Sequence, residues 1–178
     1  MTINKAAELL RQFNDTSDKW IAYLDDYTLS MLHQRPDAAS WSLGQVYMHI
    51  IADTAWYIGQ MKAALSADNS DHEKEMRADA KTMFLQNGFP DARMANPFNS
   101  LDLSQPESKT SLQQSLLSIK AEVNQLCNSA DISAATGKVE HPGFYFFSAA
   151  EWLQFAEMHM RHHFRQKQRI DEQLFAKE

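Results

Sequence analysis

The sequence holds one cysteine, Cys127, in 178 residues. No intramolecular disulfide can form, so a reducing compartment is the natural setting. Cys127 stands in Leu126-Cys127-Asn128 with no evident activating partner, and it reads as a small hydrophobe rather than a nucleophile. Glycine and proline are scarce too, five of each, and they cluster between long helix-like stretches. There is no internal repeat and no low-complexity segment, which excludes solenoids and linker-like chains. No apolar run approaches the ~20 residues needed to span a bilayer. Residues 1–15 lack a signal peptide's apolar centre, being interrupted by Lys5, Glu8, Arg11 and Gln12. A cytoplasmic protein without membrane contact is expected. A basic stripe is also missing. The formal net charge of −6 argues against broad binding to nucleic-acid phosphates or anionic lipid.

What is present is a globular composition, 44% hydrophobic and 11% aromatic, and long enough to bury a core as a single domain over residues 1–178. Leu9, Phe13, Trp20, Leu24 and Tyr27 recur at helical spacing, predicting a first helix from about Asn4 to about Leu32. Ser42-Leu43-Gly44-Gln45 matches a capping box and opens a second helix running to about Ala67. A polar stretch follows, with a short helix expected around Glu73 to Leu85. Asp68 to Asp79 reads as a solvated face. Leu112, Leu116, Ile119, Val123 and Leu126 mark a third main helix from Glu107 or Ser111 to Asn128. Residues 131–147 read as a loop containing His141-Pro142-Gly143. Ser148-Ala149-Ala150-Glu151 is a second capping box, opening a last helix to about Phe175. No convincing alternating strand pattern occurs. The expected fold is all-α, a four-helix bundle with a long crossover connection between helices two and three.

The chemistry lies in histidine. His159 and His163 are four residues apart, which puts them about 40° from each other on one helix face. Trp152, Phe155, Gln166 and Ile170 fall within about 40° of His159, so that face should be the buried one, while His162 lies about 60° to the side. On the second helix, Val46, His49, Ala52, Asp53, Trp56 and Gln60 share one side. Two helices therefore direct imidazoles inward, and a buried polar group without a partner costs about 1–3 kcal/mol. One metal ion would satisfy all three, with two ligands from an i, i+4 pair and a third from a neighbouring helix leaving one position open. Any one such histidine is more often a hydrogen-bonded core or surface residue, and a bare H-x-x-x-H arises by chance in many helices. Asp53, about 40° from His49, is placed to orient an imidazole, to act as a base or to cap a polar network. Gln166 reads as a polar liner or a packing residue. Trp41, Trp56, Trp152 and Met158 read as core.

Trp41-Ser42-Leu43-Gly44-Gln45-Val46-Tyr47-Met48-His49-Ile50 resembles the second-helix motif of the DinB/YfiT-like proteins. Glu151-Trp152-Leu153, followed by His159-Met160-Arg161-His162-His163-Phe164-Arg165-Gln166, resembles their final-helix motif, and His141-Pro142-Gly143 is similar to a loop in one subgroup. The resemblance implies a four-helix bundle holding a divalent metal, zinc or nickel, on His49, His159 and His163. It also implies relatives that are metal-dependent transferases and isomerases using low-molecular-weight thiols.

The expectation is a metal-dependent thiol S-transferase or hydrolase-like enzyme acting on a small molecule. Asp53 and His141 are the candidates for orientation or proton transfer. A homodimer is expected as well. Two alternatives stand beside the enzyme: a non-catalytic metal- or small-ligand-binding module, and a bundle that has lost its metal. An open coordination position and a pocket lined by the loop from Pro90 to Pro106 would favour the enzyme, a site sealed by side chains the binding module, and absence of metal the bundle that has lost it.

Overall fold

The computed structural model describes residues 5–90 and 103–176. In chain order the elements are α1 (Lys5–Tyr23), α2 (Leu29–His33), α3 (Leu43–Ser66), α4 (Ala78–Gln86), α5 (Lys109–Ser129), β1 (Lys138–His141), β2 (Tyr145–Ser148) and α6 (Ala149–Leu174). The long helices α1, α3, α5 and α6 make a four-helix bundle. Both α1 and α3 pack against α5 and α6, so α1 faces α3 across the diagonal. Trp20 of α1 fills the centre. Its indole donates to the Met160 carbonyl (3.1 Å), and its own carbonyl accepts from the Tyr47 hydroxyl (2.8 Å). No described helix is long and apolar enough to cross a membrane.

The helix starts follow local chemistry. Ser42 accepts from the Gln45 amide, and the Gln45 side chain accepts from the Ser42 amide, both at 3.1 Å. Ser148 and Glu151 repeat the arrangement at the start of α6. These reciprocal bonds satisfy amides that have no partner inside the helix. Gly44 is required by packing: a Cβ there would lie 2.8 Å from both the Leu32 carbonyl oxygen and the Pro106 ring.

Several sequence expectations are corrected. The first helix does not run to Leu32. It ends at Tyr23, a 3-10 turn covers Leu24–Asp26, and Tyr27 is extended. Thr28 then caps α2 by accepting from the Met31 amide (3.2 Å). The apolar spacing continues through this break because Leu24, Tyr27 and Leu32 are all buried in the same core. The spacing therefore recorded burial, not helix continuity. The break also lets the Tyr27 hydroxyl reach Asp171 near the end of α6 (2.6 Å).

Residues 131–147 are not all loop. β1 and β2 form an antiparallel hairpin with Val139 opposite Phe147 and His141 opposite Tyr145. Four-residue strands are too short to show a period, and their pairing is secured by packing. Phe147 is fully buried, and the hairpin lies against α3 and α6. Its tip is held from outside by Arg77, whose amide donates to the Phe144 carbonyl (2.9 Å).

The connection between α3 and α5 carries α4, which starts later than the expected Glu73. Most of the loop from Pro90 to Pro106 lies outside the described residues. Trp56, expected in the core with Trp41, Trp152 and Met158, is 44% exposed, whereas those three are buried.

Candidate metal centre

The heart of the site is the seam between α3 and α6. The capping boxes set where each helix begins. Side chains at His49 on α3, and at His159 and His163 on α6, then meet across the seam. One ligand nitrogen from each of the three lies within 4.8 Å of the others. All three residues are buried, with 7–9% of their surface exposed. His159 Nε2 and His163 Nε2 are 3.2 Å apart. Two nitrogens bound to one tetrahedral ion at about 2.0–2.1 Å stand about 3.3–3.4 Å apart. The spacing and the donor set therefore fit a divalent metal.

Burial keeps these imidazoles uncharged. Loss of solvation drives the pKa of His159 well below the ordinary 6.5 and that of His163 to about 3, and nearby histidines add to both shifts. Desolvation lowers His49 as well, opposed by the neighbouring Asp53. Neutral rings keep lone pairs free for a cation at neutral pH.

Asp53 stands beside the cluster. Its Oδ2 is 3.5 Å from His49 Nε2 and 3.6 Å from His159 Nε2, and it accepts from the Tyr57 hydroxyl at 3.4 Å. Burial raises the Asp53 pKa, against the lowering effects of His49 and the Tyr57 hydrogen bond. Because the imidazoles are neutral, these contacts are polar rather than ionic. A carboxylate oxygen and several imidazole nitrogens facing each other is an arrangement that a cation relieves.

Aromatic rings flank the cluster. The Trp41 ring packs on His49, and those of Tyr57 and Phe89 pack on His159. The segment carrying Phe89 is tied down along α6. Gln154 donates to the Phe84 carbonyl (3.1 Å), Arg161 to the Asn87 carbonyl (2.7 Å) and Arg165 to the Phe89 carbonyl (3.1 Å).

The structure thus brings His49, His159, His163 and Asp53 together. His141 is elsewhere: its ring packs on Trp56, Phe144, Phe147, Trp152 and Phe155, and its Nδ1 accepts from the Gly143 amide (3.0 Å). Burial lowers its pKa to about 4. His162 packs beside Phe89 and its Nδ1 accepts from Arg165. Sequence reading missed Tyr57, although it lies four residues after Asp53. It also missed Phe89, which no periodic signal marks because tertiary contacts alone carry it to the site. Gln166 proves to be a direct partner of His163, with Oε1 2.8 Å from Nδ1.

A four-helix bundle with three histidines converging inside it defines the class. The model of the DinB superfamily matches residues 12–166, and the chain belongs to that superfamily. Among solved structures it is similar to YfiT from Bacillus subtilis, with a TM-score of 0.68 and 12% identity over 98% of this chain and 90% of that one. YfiT is described as "a probable metal-dependent hydrolase with an unusual four-helix bundle topology". At this identity the likeness shows the fold alone. No curated protein matches the chain.

Proposed function

We propose that this chain is a metal-dependent enzyme acting on a small molecule, as a hydrolase or a thiol S-transferase, with zinc or nickel held by His49, His159 and His163. The observation that carries the reading is the meeting of three buried, neutral imidazoles within 4.8 Å, with a carboxylate oxygen 3.5–3.6 Å from two of them. Membership of the DinB superfamily and the description given to YfiT support it. A divalent ion held by His49, His159 and His163 would supply Lewis acidity, lowering the pKa of a water or thiol toward neutral pH.

The chain's own groups supply the rest. Asp53 takes up or returns a proton at Oδ2, and its raised pKa suits that exchange better than an ordinary carboxylate's would. The Tyr57 hydroxyl steadies that oxygen. Trp41, Tyr57 and Phe89 pack on the buried histidines and limit the water around their rings, which strengthens polar interactions there.

The test is elemental analysis of protein purified without an affinity tag, followed by assays of the loaded protein against ester and amide substrates and against thiol acceptors. Near-stoichiometric zinc or nickel with turnover in one panel is expected. Protein that takes up neither metal on reconstitution would refute the reading.

A further inference from the structure

The two α6 histidines of the cluster are not held alike. His163 Nδ1 faces Gln166 Oε1 at 2.8 Å, whereas His159 Nδ1 is buried with no hydrogen-bond partner among the described residues. Their Nε2 atoms face each other at 3.2 Å. An amide oxygen only accepts, so the 2.8 Å contact requires the His163 proton on Nδ1. His163 Nε2 is then a lone pair aimed into the cluster. The 3.2 Å contact in turn requires His159 Nε2 to donate in the metal-free protein. That leaves His159 Nδ1 as its lone-pair end and accounts for an unpartnered atom there.

We infer that Gln166 is a positioning residue that locks His163 in the Nδ1–H tautomer and so presents its Nε2 lone pair ready for a metal. The inference deepens the proposed metal site and rests on it for its consequence in metal binding. Which imidazole nitrogen is free to ligate is set by the bond the other nitrogen makes. Gln166 is three residues after His163 on the same helix, so α6 itself fixes the geometry. The amide is neutral, so it orients the ring without adding a charge to the cluster. Turned the other way, with its NH₂ toward Nδ1, the amide would force a proton onto Nε2 and block the position that the cluster needs.

The experiment has two independent readouts. In ¹⁵N-labelled, metal-free protein at constant neutral pH, long-range ¹H–¹⁵N correlation spectra distinguish a protonated from an unprotonated ring nitrogen. His159→Ala and His163→Ala spectra assign the signals. Expected are Nδ1–H for His163 and Nε2–H for His159, with the His163 pattern lost in Gln166→Leu and retained in Gln166→Glu, whose carboxylate is also an acceptor. A His163 Nε2–H tautomer in wild type, or an unchanged His163 in Gln166→Leu, would overturn the inference.

The second readout is zinc affinity, measured by competition with a chromophoric chelator. Gln166→Leu should bind about 10–100-fold more weakly than wild type, and Gln166→Glu should restore binding. Equal affinity in Gln166→Leu and wild type would overturn the role in metal binding while leaving the histidine site standing. Wild type that binds no zinc would sink the metal site itself, and the tautomer spectra would still decide what Gln166 does to His163.

Discussion

The Asp53 carboxylate and the His49 imidazole, one turn apart on α3, face each other with Oδ2 3.5 Å from Nε2. His159 Nε2 lies 3.6 Å from the same oxygen, yet Asp53 is not part of the group of three that could share an ion. Ligation and proton handling should therefore separate on mutation. Asp53→Asn should retain most of the metal and lose about 10²–10⁴-fold in turnover, the range that a positioned acid or base contributes. Metal content and kcat measured on one preparation check this. Loss of metal in parallel with activity would make Asp53 a ligand instead.

The ligand set makes a sharper demand. His49→Ala, His159→Ala and His163→Ala should each lose most metal affinity, because a site with three protein ligands cannot spare one. His162→Ala should keep it, since its ring lies against Phe89 and its Nδ1 is taken by Arg165. Metal per chain across the four variants is the measurement. If His162→Ala lost metal and His163→Ala kept it, the assignment on α6 would have to be exchanged.

His141 gives the fold an acid-sensitive element. Its ring packs on aromatic side chains from α3 (Trp56), the hairpin (Phe144 and Phe147) and α6 (Trp152 and Phe155), none of them charged. Burial lowers its pKa from 6.5 to about 4. Between those values the unfolded chain binds a proton that the folded ring refuses, so stability rises with pH across this window. The contribution is complete above 6.5 and is lost as pH falls through 4. His141→Phe should reduce the slope of unfolding free energy against pH over that interval by one proton. Urea titrations of metal-free protein at several pH values measure it, and identical slopes would refute it.

Ser148 accepts from the Glu151 amide and ends the hairpin where α6 begins. Ser148→Ala should cost about 0.5–2 kcal/mol. Coincident denaturant melts for wild type and variant would show that the cap contributes nothing.

Glu157 is buried in the bundle, and three donors satisfy it. Thr16 donates from α1 at 2.7 Å, and Arg161 donates twice at 2.8 Å while also holding the Asn87 carbonyl. Arg161→Leu removes two of those donors and one of the bonds that hold the segment leading to Phe89. It should destabilise the protein by about 1–3 kcal/mol. A thermal melt matching wild type would contradict that.

Both capping boxes, the extents of α3, α5 and α6, and the inward faces of His49, His159 and His163 were legible in the sequence. Each depends on residues within four positions of one another, and a helix repeats its geometry every 3.6 residues. The break at Thr28 was hidden because burial on both sides of it preserved a helical apolar spacing. The hairpin was hidden because strands of four residues carry too little pattern to be read. Trp56 was misplaced because the helix wheel gives an angle about α3 and not how far the bundle's cover extends, and the cover leaves that ring half in water.

By itself, then, the sequence determined the helices, their caps and the face on which each histidine stands, all products of short-range backbone geometry. Only the tertiary structure decided that α3 and α6 lie side by side, so that three imidazoles come within 4.8 Å and Asp53 joins them while His141 does not. It also carried Phe89 onto His159 through carbonyls held by α6. These arrangements depend on how helices far apart in the chain pack together. Packing is settled by the mutual fit of whole faces, which no local spacing along the chain encodes.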